Sequence, residues 1–229
     1  MIVAFSITEF IVHGGFFMYL LLLCSIVSVA TIILRGWALR REMVIPSWIW
    51  NRIEALQPGE SGPALERLAL TVKTDPSPLA RIAEVAVKHL EWPRSENVEA
   101  VQTRARHEVI RMETGLVVLE VIVGIAPLLG LLGAVSGLVT VFGNLGASES
   151  ISDPRGIAKG ISEALNTTIA GLAIAIPSLI AYSYFSKKVE TLSVEMESIV
   201  GELLAKCYSR KIRREVRAVS QNLEDASNK

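Results

Sequence analysis

Apolar and charged positions along this chain separate into blocks. Three stretches contain no Lys, Arg, Asp or Glu, namely residues 10–34, 121–148 and 164–186. Each is at least 23 residues long, whereas crossing a hydrocarbon core of ~30 Å takes about 20 helical residues. Leu, Ile, Val and Ala dominate all three. The pattern predicts an all-α integral membrane protein with three transmembrane helices at residues 10–35, 116–142 and 157–186.

The polar blocks set the expected organisation. Residues 36–115 carry 11 basic and 11 acidic side chains. Up to about Pro78 this block is broken by Pro46, Pro58, Pro63, Pro76 and Pro78, so only short helices fit there. Beyond it, "LARIAEVAVKHLE" and "SENVEAVQTRARHEVIRMETG" read as longer helices, the second with Ser95 as N-cap and Glu96 and Glu99 in its first turns. After the third span, Val189, Leu192, Met196, Ile199 and Leu203 recur at a spacing of three and four. That predicts a continuation of the third helix over 187–218, with one apolar face packed within the chain or against another subunit. Residues 219–229 read as a frayed, disordered tail.

Basic residues fix the expected orientation. Arg35, Arg40 and Arg41 follow the first span and Lys187 and Lys188 the third, while the connection at 143–156 is short. By the positive-inside rule, residues 1–9 and 143–156 lie outside, and 36–115 and the C-terminal block lie in the cytoplasm. A cleaved signal peptide fits the first span poorly, because Glu9 precedes it without Lys or Arg and no small-residue cleavage site follows.

Composition adds little. The chain has 229 residues, 51% of them hydrophobic, and a formal net charge of zero. Cys24 falls within the first span and Cys207 in the cytoplasmic block, so neither suits a stable disulfide. His13, His89 and His107 have no metal-ligand spacing. With no P-loop, nucleophile elbow or Cys-x-x-Cys pair, the sequence predicts no enzyme activity, no catalytic residues, no metal and no cofactor.

Detail within the spans carries the chemistry. In the second, Gly130, Gly133, Ala134 and Gly137 form a small-residue face of the kind that lets helix backbones approach in lipid. Ala170, Gly171, Ala173 and Ala175 form another in the third. Packing among the three helices accounts for one such face per helix, and crowding on this scale favours an oligomer. Pro127 and Pro177 each remove a backbone hydrogen bond and predict a kink. The first span is bulky nearly all round and is expected outermost, facing lipid. The third opens with "EALNTT". Glu163 and Thr167 stand at i and i+4 on one face, Asn166 lies beside it, and Thr168 follows. Ionisable and amide groups at membrane depth normally face a protein interior or a hydrated cavity. Two milder readings stand beside this one: Glu163 reaching the outer interface, and threonine hydroxyls bonding back within their own helix.

Together "HGGFFMYLLLLCSIVSVATIILR", "APLLGLLGAVSGLVTVF" and "ISEALNTTIAGLAIAIPSLIAYSYF" resemble the MotA/TolQ/ExbB family of ion-driven motor subunits. With three spans the chain is similar to the ExbB and TolQ branches. The resemblance implies a pentameric ring enclosing two copies of an ExbD/TolR-like single-span partner, whose intramembrane Asp takes protons from outside. It implies an inner-membrane protein that converts proton-motive force into mechanical work for a process such as energised uptake. Position by position, the family's third-span carboxylate falls on Glu163, its third-span hydroxyl on Thr168 and its pore-helix prolines on Pro127 and Pro177. One departure stands out. The family's second-span threonine is replaced by Ala134, while Asn166 and Thr167 are polar where small or apolar residues are usual. The expectation is that polarity has moved from the second span to the third. The alternative is a non-conducting oligomeric scaffold, which Ala134 favours.

Overall fold

The computed structural model describes residues 15–58, 63–147 and 154–227. The expected outside N-terminus at 1–9, the start of the first span, and 148–153 of the expected outside loop fall beyond those residues. All the regular structure described is helical: α1 (Gly15–Ala38), α2 (Arg41–Val44), α3 (Ser47–Ala55), α4 (Pro63–Thr74), α5 (Pro78–Lys88), α6 (Arg94–Glu113), α7 (Leu116–Ala147) and α8 (Pro154–Ser227).

Three helices are long and apolar enough to cross a membrane, over Phe16–Ala38, Leu116–Gly143 and Gly160–Ser209. The last, at 50 residues, far exceeds the ~30 Å that a crossing needs, and its charge-free part ends at Ser186. Only 17, 33 and 28% of their apolar windows is buried within the chain. The remainder presents apolar side chains outward, an arrangement that suits lipid and would be costly in water.

The chain divides into two compact units. The first takes α1 to Trp37, α7, and α8 to Ser186. At its core, Met18 and Leu21 of α1 pack with Ile122 and Ala126 of α7 and Ala170 and Ala175 of α8. Most of α1's large side chains, among them Phe16, Ile26, Ile33 and Leu34, stay exposed.

The second unit runs from Ala38 to Glu113 and takes α8 from Lys187. Three of its prolines stand at helix starts: Pro46 is the N-cap residue of α3, and Pro63 and Pro78 open α4 and α5. A proline has no N–H to leave unpaired in the first turn. Ser77 caps α5 by accepting the Ala80 N–H. Helix α6 begins at Arg94, so Ser95 lies inside it and is not its N-cap; the Pro93 carbonyl accepts the Asn97 N–H and opens the first turn. Val189, Leu192, Met196, Ile199 and Leu203 of α8 are all buried, so this stripe packs within its own chain. The helix is described as far as Ser227, and residues 228–229 of the expected tail at 219–229 fall beyond the described residues. Residues 210–227 contain no Gly or Pro and are rich in Arg, Lys, Glu and Ala, all good helix formers.

Polar groups secure this unit at three points. Lys206 Nζ donates to the carbonyls of Ile53, at 3.0 Å, and Glu54, at 2.7 Å, at the C-terminal end of α3, where a cation is favourable. Arg41 pairs with Glu195, and that bond raises the pKa of its guanidinium. Glu108 is the third point. Its carboxylate is fully buried, with Arg81 at 2.6 Å, Arg104 at 3.1 Å and Arg111 at 3.7 Å.

Candidate functional site

The small-residue faces of α7 and α8 meet each other. A Cβ added to Gly171 would stand 2.5 Å from the Ala126 carbonyl oxygen, and one added to Gly130 would stand 2.7 Å from that of Thr167. The backbones therefore touch, and a methyl at either position forces them apart. Further along, Gly133 lies against the Thr167 side chain and Phe17, and Gly137 against Ala164. The glycines of both faces are thus met within one chain, while Ala173 of the α8 face stays exposed. Intrachain packing accounts for most of the crowding that favoured an oligomer on sequence grounds.

The polar start of α8 straddles this contact. Thr167 is buried at 2% exposure. Its hydroxyl lies 2.8 Å from the Ala164 carbonyl in its own helix and 3.1 Å from the Gly130 carbonyl of α7. Thr168 is partly buried, with its hydroxyl 3.4 Å from the same Gly130 oxygen. Glu163 and Asn166 are half-buried. At about 100° per residue, Glu163 and Thr168 lie about 140° apart around α8, on opposite flanks of the buried Thr167. The structure therefore gathers Thr167, Thr168 and Gly130, and separates Glu163 from Thr168. Ala134, one turn beyond Gly130, is buried.

Pro127 and Pro177 lie inside helices that continue past them. Each takes an N–H out of the ladder and so deprives the carbonyl four residues earlier, at Val123 and Ala173, of its usual partner.

Some polar contacts were not apparent from the sequence. Ser28 of α1 and Ser178 of α8 are both buried and 2.6 Å apart. Ser178 Oγ also lies 2.7 Å from the Ile174 carbonyl; when its one hydrogen goes there, Ser28 donates to Ser178, and otherwise Ser178 donates to Ser28. The available signal was that Ser28 lies seven residues after Leu21, on the same helix face. In the second unit, Asn97 donates to the Ala86 carbonyl and to the Tyr208 hydroxyl, and that hydroxyl has the His89 and Trp92 carbonyls within reach. Among the described residues no group of three His, Cys, Asp or Glu side chains could hold a metal ion.

Comparison with known proteins identifies the family. Residues 74–198 match the family model described as the MotA/TolQ/ExbB proton channel family. The chain is 34% identical over 178 residues to a putative biopolymer transport protein, ExbB-like 1, of Synechocystis, covering 74% of this chain and 66% of that protein. It is 33% identical over 187 residues to a putative ExbB homolog of Methanothermobacter thermautotrophicus, covering 81% and 64%. Over a shorter stretch of 78 residues it is 45% identical to the biopolymer transport protein ExbB of Helicobacter pylori. The chain thus spans just under two thirds of the length of the first two relatives. With the family match extending through α7 and the glycine-packed start of α8 and on to Ser198, this chain belongs to the MotA/TolQ/ExbB proton channel family and is ExbB-like.

Proposed function

We infer that the protein is the ring-forming subunit of a proton-driven motor in a bacterial inner membrane. In this reading α1, α7 and the first part of α8 span the bilayer, with the N-terminus outside and the C-terminus in the cytoplasm. Five copies enclose an ExbD/TolR-like single-span partner with an intramembrane Asp. The observation that carries the reading is the polar start of α8: a carboxylate, an amide and two hydroxyls within six residues, at the head of a span that matches the family. Such groups lower the cost of charging and discharging a carboxylate at membrane depth. The chemistry is ion transfer without covalent change. One charge crossing 100 mV supplies about 2.3 kcal/mol, so a working stroke draws on several ions. The process driven, in this reading, is the energised transport of a biopolymer or nutrient across the envelope, in keeping with the biopolymer transport that the relatives' names state.

Native mass spectrometry of the protein extracted mildly from its own cells tests the assembly. A pentamer retaining a small single-span protein is expected; an oligomer with no such partner refutes the motor reading. Proton flux in liposomes reconstituted with that complex tests the chemistry, and Glu163→Gln is expected to abolish it. The second reading, a non-conducting scaffold, draws on Ala134, and undiminished assembly together with zero flux in the unmutated complex would favour it.

A further inference from the structure

The Gly130 carbonyl oxygen has three donors around it. Within α7 it accepts the Ala134 N–H of the i→i−4 ladder. From α8 it is approached by Thr167 Oγ1 at 3.1 Å and Thr168 Oγ1 at 3.4 Å. A carbonyl oxygen has two lone pairs, so after the ladder bond one hydroxyl at a time can complete it. Thr167 has a second choice, because its single hydrogen can turn to the Ala164 carbonyl at 2.8 Å. Two arrangements therefore share one set of heavy-atom positions. In the first, Thr167 donates to Gly130 and the Thr168 hydrogen is released from it. In the second, Thr167 donates to Ala164 and Thr168 is captured by Gly130.

The two threonines differ in what they can reach. Thr167 is sealed between the helices at 2% exposure, whereas Thr168 is only partly buried, on the flank. Only Thr168 can offer its hydrogen to a carboxylate or water outside the helix pair. We propose that Thr167 is a positioning residue that sets the availability of Thr168: by occupying the Gly130 carbonyl it frees the neighbouring hydroxyl for the ion pathway. The inference rests on reading the start of α8 as that pathway. It also gives Ala134 a physical meaning. A hydroxyl at position 134 would bond back to the same Gly130 oxygen, four residues earlier, so Thr167 supplies from α8 the donor that α7 lacks.

The test uses the full-length protein with the membrane partner that co-purifies from its own cells, reconstituted into liposomes containing a pH-sensitive dye. Thr168→Val, Thr167→Val and Thr167→Ser are compared for proton flux and for the carbonyl ¹³C resonance of Gly130. Thr168→Val should block flux. Thr167→Val should lower it about fivefold, the effect of one net hydrogen bond, and move the Gly130 resonance as Thr168 becomes its sole hydroxyl donor. Thr167→Ser should restore both. If Thr168→Val conducts like the unmutated protein, the ion-pathway reading itself fails. If Thr168→Val blocks while Thr167→Val leaves flux and resonance unchanged, the pathway stands and the positioning role is overturned. If Thr167→Ser, which keeps the hydroxyl and loses the methyl, is as impaired as Thr167→Val, the hydroxyl alone does not sustain flux and packing at this position decides it, which also overturns the proposal.

Discussion

Glu108→Gln is the substitution whose effect the structure specifies most fully. The carboxylate is 0% exposed, with Arg81 at 2.6 Å on Oε2 and Arg104 at 3.1 Å on Oε1; Arg111 stands 3.7 Å away. Arg81 is also anchored to the Pro76 carbonyl at 2.6 Å, so it cannot simply swing out. Glutamine keeps the shape and one acceptor but removes the charge and turns an NH₂ group toward a guanidinium. Breaking a buried ion pair by changing one partner typically costs about 3–5 kcal/mol. Here the arginines are 29, 35 and 64% exposed, so water recovers part of the loss and about 2–3 kcal/mol is expected. For a chain of this size that corresponds to a fall of roughly 4–12 °C in the unfolding midpoint. The assay is thermal unfolding in nanodiscs followed by tryptophan fluorescence. Trp48, Trp50 and Trp92 lie in the second unit, the unit that holds Glu108. Arg111→Gln, which removes the longest and most exposed of the three contacts, should shift the midpoint by about 1–2 °C at most. Equal shifts for the two variants, or none for Glu108→Gln, would refute the account of a carboxylate held by Arg81 and Arg104.

Other consequences follow from the same structure. Gly171→Ala places a methyl 2.5 Å from the Ala126 carbonyl oxygen and should cost about 1–3 kcal/mol by overpacking, read as weakened resistance to unfolding in detergent; a neutral result would mean α7 and α8 do not approach as described. Tyr208→Phe takes a donor from the His89 and Trp92 carbonyls and an acceptor from Asn97. It should destabilise by about 1–2 kcal/mol and speed amide exchange at the α5–α6 turn. The Cys207 thiol is pushed by burial from 9.0 up to about 11, so the fold favours its neutral form. That contribution to stability is present in full below about pH 9 and is lost as pH rises toward about 11. Maleimide should label Cys207 slowly at pH 7 in the folded protein and rapidly once it is denatured; fast labelling in the native state would contradict the burial.

Three spans, the all-helical class and the family were legible because each depends on local properties. A run without charge predicts a crossing whatever surrounds it, and "GLLGAVSGL" marks a face where another backbone comes close. What the sequence leaves open is which backbone. The glycines of α7 were read as evidence of an oligomer, yet Gly171 and Thr167 of the same chain fill their face. Periodicity placed Thr167 beside Glu163 but gave no sign that its hydroxyl would turn inward to Gly130, away from the Glu163 flank. The Arg104–Glu108–Arg111 spacing reads as an ordinary solvated helix face. Its middle member, Glu108, is nonetheless fully buried, and Arg81 of α5, 27 residues earlier, is bonded to it. One helix end was missed for a smaller reason: Pro93 starts α6 ahead of Ser95.

The hydrogen bond between Ser28 and Ser178 joins residues 150 positions apart, and that interval has a meaning in time. At a synthesis rate of roughly 5–20 residues per second, about 8–30 s separate the emergence of the two serines from the ribosome. For the last part of that wait, once α7 has been made, α1 and α7 are without their third partner. The Ser28 hydroxyl can bond only to its own helix, and Ala126, Gly130, Gly133 and Gly137 expose a face cut to fit a helix that does not yet exist. A chain stopped after the second span would keep that face open, and the quality-control proteases of the membrane would meet it as an unfinished protein.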